Sequence, residues 1–338
     1  IFQENWDRFL SAFPSLVSFY VLYNVWNIMN CREPEGLGYL TFACPDHPNQ
    51  VCHVPKTCKS RFCTTCSKVR NDQWVHNMQQ QFPNYPYFHV TFTVPSELRV
   101  ILFEKRILLN AVFTAVSDTL QSFCKERGFL PAIILVMHTF GSDLKWHVHI
   151  HCIISAGGLK LAGKQERFTR LENRKQKNKR AKLKTYPVVT EKPEWVDLPT
   201  FPFKVLQKRY QALLIKHLEE KILGNLASKN PDPDLKHFAD PKARKILFHN
   251  LKTKHKKGFY VQLSEKRADL KATLSYVGRY ALRPPLSEVR IKDYTGETVT
   301  FEYKDYRNFG SKVRHTLKTL EFIKRLIRHI PPRYFNMI

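Results

Sequence analysis

Nine consecutive residues constrain this chain more than any others: Trp146-His147-Val148-His149-Ile150-His151-Cys152-Ile153-Ile154. Strand side chains point alternately to the two faces. The pattern therefore predicts a strand with His147, His149 and His151 on one face and Val148, Ile150 and Cys152 turned to a core. Imidazole is a common ligand of divalent metals, and two or three converging on one point can hold an ion. The plainer alternative is a half-buried strand with a wet polar face, an unusual use of three histidines in five residues.

The charge narrows the partners. Lys and Arg number 55 against 29 Asp and Glu, a formal net charge of +26, with a pI near 9.8. Such an excess suits a polyanion, either nucleic acid or an acidic membrane surface. The 338 residues, 43% hydrophobic, suffice for one large domain or two smaller ones with a real core. The best apolar run, Leu16 to Met29, is short and broken by Ser18, Asn24 and Asn27, so no membrane span is expected. It also lacks a signal-peptide layout. The first residue is Ile1 rather than Met, which reads as a trimmed start.

Six of the eight cysteines fall within 31–70 as Cys31, Cys44-x2-His47, Cys52-His53, Cys58-x4-Cys63-x2-Cys66. Ligands two residues apart let a tight turn present both to one tetrahedral zinc. The pairs Cys44/His47 and Cys63/Cys66 together make a sufficient set. Cys31, Cys58, Cys52 and His53 stand as further donors, enough for a second ion. All ligands are protein-supplied, so the role is structural. Clustered rather than dispersed cysteines fit a reducing cytoplasm. Lys56, Lys59, Arg61, Lys68 and Arg70 make the segment a candidate DNA-contacting module.

Periodicity predicts helices over 1–30, a strand from Tyr87 to Val94 and one long helix from Ser96 to Glu126, with Ser96 as its cap. A strand from Ile133 to Phe140 and the turn Gly141-Ser142-Asp143 lead into the histidine strand, forming an antiparallel hairpin. Residues 160–184 hold eleven Lys and Arg, including Arg174 and Lys175, against Glu166 and Glu172: a charged helix or an insertion that suits a polyanion. A helix follows over Val205 to Leu223, a loop over Asn230 to Pro241 and a short strand over Gly258 to Leu263. A further helix covers Arg267 to Leu282, a hairpin Val289 to Tyr303 and a basic helix Leu317 to Ile330. Tyr276-Val277-Gly278-Arg279-Tyr280 places two tyrosines four apart on one helix face. Alone, such a pair is as compatible with packing as with chemistry.

Cysteine cluster, histidine strand and tyrosine pair stand in a set order. Together they resemble the HUH single-strand nucleases, specifically the two-tyrosine rolling-circle insertion-sequence transposases related to helitrons. The likeness is carried by Cys58-Lys59-Ser60-Arg61-Phe62-Cys63-Thr64-Thr65-Cys66, Phe88-His89-Val90-Thr91-Phe92-Thr93-Val94-Pro95 and His138-Thr139-Phe140-Gly141. To these are added His147 to Cys152 followed by Gly157-Gly158, and Tyr276 to Tyr280 with Arg283-Pro284. The resemblance implies an α+β HUH-nuclease fold, a central antiparallel sheet flanked by helices, with a small N-terminal zinc-binding module. It implies a catalytic Mg2+ or Mn2+ on His149 and His151, with His138 as third ligand and His147 or His89 as competitors. Tyr276 and Tyr280 become nucleophiles that form 5′-phosphotyrosine links. Structural zinc would sit among Cys31, Cys44, His47, Cys58, Cys63 and Cys66, with Cys52 and His53 in reserve. His47 stands where relatives usually carry a cysteine and Phe62 where many carry a histidine. Phosphate contacts fall to Lys59, Arg61, Arg174, Lys175, Arg279 and Arg283. The expected partners are hairpin-ended single strands of a mobile element, target DNA and host replication or helicase proteins, with no membrane, in a bacterial cytoplasm near the nucleoid. The implied layout is a helical segment (1–30), a zinc-binding module (31–75), the first nuclease part (80–159), a basic insertion or linker (160–200), the second nuclease part (201–310) and a basic C-terminal helix (311–338). A plasmid replication initiator or relaxase is the nearest alternative. A zinc-finger regulator without catalysis is the other, and it leaves the histidine strand and paired tyrosines unexplained.

Overall fold

The structure, a computed structural model, describes residues 1–47, 49–60, 62–161, 169–170, 184–185, 194–264, 270–274, 284–305 and 308–331, with 333, 335 and 337. Its elements follow in chain order: α1 (Phe2–Ala12), α2 (Phe19–Met29), β1 (Tyr39–Ala43), β2 (Val51–Pro55), α3 (Thr64–Gln81), β3 (Tyr87–Thr93), α4 (Ser96–Glu104), α5 (Leu109–Glu126), β4 (Phe129–Phe140) and β5 (Trp146–Lys160). After them come β6 (Thr169–Arg170), β7 (Lys184–Thr185), β8 (Trp195–Asp197), α6 (Phe203–Leu226), α7 (Pro241–Lys254), β9 (Val261–Leu263), β10 (Ile291–Tyr294), β11 (Thr298–Asp305), β12 (Ser311–Lys318) and α8 (Thr319–Ile327). The chain is a mixture of helices and antiparallel sheets, the expected fold class.

Two compact units emerge: Ile1–Phe82 with Val136–His149 and Lys271–Ile338, and Pro83–Leu135 with Ile150–Leu270. The division passes through β4 and β5 in mid-strand. A sheet ordered β4-β5-β3-β9, with β8 also paired to β5, carries the histidine strand at an interior position.

In the second unit, α5 turns a continuous stripe inward: Ala111, Val112, Ala115, Val116, Thr119, Leu120 and Phe123 are fully buried. This is the i, i+3, i+4, i+7 spacing that gives a helix one apolar face. It packs beside Leu206, Tyr210, Leu214 and Leu218 of α6, while the Tyr210 ring meets Phe92 of β3 edge-on at 5.1 Å. Among the described residues one helical stretch, Arg106–Glu126, is long and apolar enough to cross a membrane. Its apolar side is this core stripe.

The first unit closes on two clusters. Trp6, Phe9 and Val25 of α1 and α2 pack with Ile323, Ile327 and Ile330 at the C-terminal end. Val299, Phe301 and Leu317 of a three-stranded sheet, β10-β11-β12, pack with Phe322 of α8 and with Leu144 in the β4–β5 turn.

Several local expectations change. The single helix over Ser96 to Glu126 is two, broken at Lys105 (φ −115°, ψ 73°). The Lys105 ammonium is drawn to Asp232 at 2.7 Å and to Asp234, a double ion pair that straight helix geometry does not deliver. Pro95, not Ser96, is the N-cap. Within 311–338, expected to be one basic helix, Ser311–Lys318 form a strand. Val313, His315 and Leu317 alternate inward there, and the helix starts only at Thr319. A helix at Pro241–Lys254 was not foreseen, although Asp240-Pro241 announces it. The Asp240 carboxylate accepts from the Lys242 N–H at 2.9 Å, and Pro sits at the first helical position.

Candidate functional site

The histidine run is part of β5, and Val148, Ile150 and Cys152 are completely buried, as alternation requires. β4 is its neighbour in the sheet. One ring nitrogen each from His138, His149 and His151 lies within 4.8 Å of the others, with His138 buried and the other two half-buried. The His138 and His149 rings meet edge-on at 5.3 Å.

A hydrogen bond to a carbonyl fixes the tautomer of His149. His149 Nδ1 is 3.0 Å from the His147 carbonyl, which can only accept, so Nδ1 carries the proton and Nε2 keeps its lone pair. His151 Nδ1 is 3.0 Å from His89 Nε2, and His89 Nδ1 is 3.2 Å from the Ser264 hydroxyl. Read from His151 to His89 to Ser264, this hydrogen-bonded chain puts the proton on His151 Nδ1; read the other way, it puts it on His151 Nε2. His89 thus hydrogen-bonds to a member of the cluster without belonging to it, and His147 is also outside it.

Sequence reasoning missed His329. Buried beside the β4–β5 turn, its Nε2 donates to the Leu144 carbonyl at 3.1 Å, and its Nδ1 lies 3.1 Å from the Thr139 hydroxyl. Leu144 has φ +63°, a conformation a bulky residue holds only under constraint. Arg290 also donates to the Ser142 carbonyl in the same turn. The turn joining β4 and β5 is therefore clamped from outside the pattern that announced it.

The second cluster is Cys31, Cys58, Cys63 and Cys66. Cys31 lies just past α2, Cys58 and Cys63 form a knuckle, and Cys66 is in the first turn of α3. The sulfurs stand 3.4 Å (Cys31–Cys66), 3.6 Å (Cys58–Cys66) and 3.7 Å (Cys63–Cys31) apart. Backbone N–H groups of Cys58 and Ser60 point at the Cys31 and Cys58 sulfurs. The Cys63 thiol is held low, at about 5, by a hydrogen bond from Cys58, against its burial and with help from the Cys66 and Thr65 amides. Cys58 is raised, chiefly because it donates that bond. Four thiols this close favour a cation over four separate charges, and a set of four cysteine ligands is a structural zinc site. The group includes Cys63 and Cys66 and leaves out the Cys44/His47 pair that the spacing favoured. Cys44 and His47 are 3.6 Å from each other at the end of the β1–β2 hairpin and outside the four-thiol group. Cys52 is exposed on β2, and His53 bonds Thr41 across the hairpin. The group is local: four cysteines from 36 residues of chain are brought together by one helix end and one knuckle.

Lys59 is described, at φ +51° in the knuckle with its carbonyl held by Arg70. Tyr276, Tyr280, Arg61, Arg174, Lys175, Arg279 and Arg283 lie outside the described residues.

The comparisons agree with this layout. Residues 132–186 and 188–338 match the family described as "Putative transposase", and residues 1–94 match "Transposase zinc-binding domain". The transposase for insertion sequence element IS801 of Pseudomonas savastanoi pv. phaseolicola is 29% identical over 89% of this chain and 65% of its own length. A Sinorhizobium fredii protein titled "Putative transposase y4qJ" is 28% identical over 83% of this chain and 64% of its own. The chain thus spans just under two thirds of these relatives. No solved structure matches it. With well over half of its residues inside the first match, and the zinc-binding cysteines inside the second, the chain belongs to this family of transposases.

Proposed function

We propose that this chain is a rolling-circle transposase that cuts and rejoins single-stranded DNA through tyrosine. One observation carries the reading: ring nitrogens of His138, His149 and His151 within 4.8 Å of one another, with the His149 hydrogen bond to a carbonyl leaving its Nε2 lone pair available. Three imidazoles fit Mn2+ better than the harder, oxygen-seeking Mg2+, though both belong to the expected class. An ion held there would polarise the scissile phosphate.

Tyr276 or Tyr280 then supplies the nucleophile. Its oxygen forms a bond to phosphorus as the bond to the 3′ oxygen breaks. The phenol proton leaves, and the 3′ oxygen ends as a hydroxyl. The 5′-phosphotyrosine conserves the phosphodiester for rejoining, so no nucleotide is hydrolysed. Two tyrosines allow two linked cleavages. A phenol with an ordinary pKa near ~10 is a poor nucleophile at neutral pH, which is why it needs the polarised phosphate. The Cys31/Cys58/Cys63/Cys66 cluster, holding zinc, orders the N-terminal module. Lys59, Arg61, Arg174, Lys175, Arg279 and Arg283 neutralise phosphates of hairpin-ended donor and target strands.

The test is a labelled single strand carrying the element's hairpin end, incubated with Mn2+ and run on a denaturing gel. A protease-sensitive retarded band is expected. His149→Ala and the double Tyr276→Phe/Tyr280→Phe variant should lose it while retaining DNA binding. Adduct surviving in the double tyrosine variant refutes the mechanism.

A further inference from the structure

β11 and β12 form a long hairpin in unbroken register, from Thr298 opposite Lys318 to Asp305 opposite Ser311. At its end Phe309 is fully exposed. Its φ is +50°, and the next residue, Gly310, has +76°. A bulky L-residue pays for the left-handed region, where Gly or Asn sits at little cost. Gly310 is nevertheless tied down, its N–H on the Asp305 carbonyl at 2.9 Å. A large ring shown to solvent on a strained turn has no folding role. Strain of this kind gathers at binding sites.

The hairpin's outer face leads to that ring. Val299, Phe301 and Leu317 turn inward, so their neighbours Lys304, Lys312, Arg314 and Lys318 line the other side with Thr300 and Thr316. Lys304 stands directly opposite Lys312, a like-charge pair that is unfavourable by itself. The two strands offer that face one acid, Glu302, 3.4 Å from Lys312. On β10, Asp293 lies opposite Thr300, away from the tip. Cations on one strand face recur every two residues, about 6.8 Å. A ladder of cations ending in a bare aromatic ring matches a ligand that alternates anionic groups with flat apolar faces, which is what single-stranded DNA offers.

We infer that the β11–β12 hairpin binds single-stranded DNA, Phe309 stacking on a base while Lys304, Lys312 and Arg314 hold the phosphates leading to it. This rests on DNA being the family's substrate and not on the metal and tyrosine chemistry above.

The test uses the whole chain in EDTA, so cleavage plays no part. Oligothymidylate carrying one 5-iodouracil, moved along the strand, is irradiated on the protein and the crosslink mapped by mass spectrometry; Phe309 is the expected site. Phe309→Gly should weaken binding of the oligonucleotide by about tenfold, typical of losing one stacked base. It should weaken binding of an abasic strand of equal length not at all. Its melting temperature should hold or rise, since glycine relieves the turn. The double variant Lys304→Gln/Lys312→Gln should lower the slope of log affinity on log salt by about 1.4, two single-strand phosphates' worth. Unchanged affinity in Phe309→Gly, or an equal loss on the abasic strand, overturns the inference. So does a change in sedimentation in place of a change in DNA binding, which would assign the ring to a second copy of the chain.

Discussion

His89 sits one hydrogen bond from His151 and another from Ser264, so its removal should be felt at the metal. His89→Ala is expected to weaken Mn2+ binding about 10- to 100-fold, the usual effect of a group that orients a ligand. His147→Ala should change it little, and titration calorimetry of Mn2+ separates the two. Gly157 and Gly158 are equally constrained. A Cβ on Gly158 would stand 2.1 Å from the Leu130 carbonyl oxygen, and one on Gly157, at φ +153°, 2.3 Å from that of Val196. Gly158→Ala should therefore cost about 2 kcal/mol in urea unfolding, within the range for overpacked sites. Glu97 gives a pH signature. Burial alone would raise its carboxyl, but Lys254, its own backbone amide, Ser96 and His255 outweigh this and hold it at about 2. A lowered carboxyl stabilises the fold above about pH 4.5, and the contribution fades as pH falls towards 2. Glu97→Gln should thus lose roughly 1 kcal/mol at neutral pH, after allowance for solvent screening, and match the unaltered chain near pH 2. Alternation alone puts His149 and His151 on one face. The roles of His89, Ser264 and His329 are not legible, because partners 62 to 190 positions apart leave no local pattern.

At the scale of elements, the zinc module separates two readings of one cysteine pattern. Cys31→Ser or Cys58→Ser should release the ion bound by the four-thiol group and lower the melting temperature. Cys44→Ser with His47→Ala should leave that ion in place, and chromogenic zinc release measures both. Spacing suggested Cys44-x2-His47 as a half-site because two-residue gaps favour bidentate turns. In the fold those residues end a hairpin whose strands are exposed almost throughout, and Cys31 arrives instead from the end of α2. The strands β3 to β5 and the buried stripe of α5 were legible from period alone. The break at Lys105 was not, since the partners that hold Lys105 there, Asp232 and Asp234, lie more than 120 residues on. Nor was β12, because a basic strand with three inward residues resembles the start of the basic helix that follows it.

The whole molecule carries a formal +26, and its affinity for single strands should fall steeply with salt. If about six phosphates are held, log affinity should drop with a slope near −4 against log salt, measurable by fluorescence anisotropy. A slope near zero would mean that the cations answer to something else. Charge told of a polyanion without saying where it lies, since no ladder is visible until strands are in register. The packing of α1 and α2 against Ile323, Ile327 and Ile330 has a further consequence. The helices that precede Cys31 cannot bury Trp6 and Phe9 until residues some three hundred positions later have left the ribosome. An unfinished chain would present those rings to solvent, an invitation to chaperones and proteases. Emergence of residues 319–330 thus becomes a checkpoint on the protein's supply, and a nonsense mutation before residue 319 should lower its abundance in the cell.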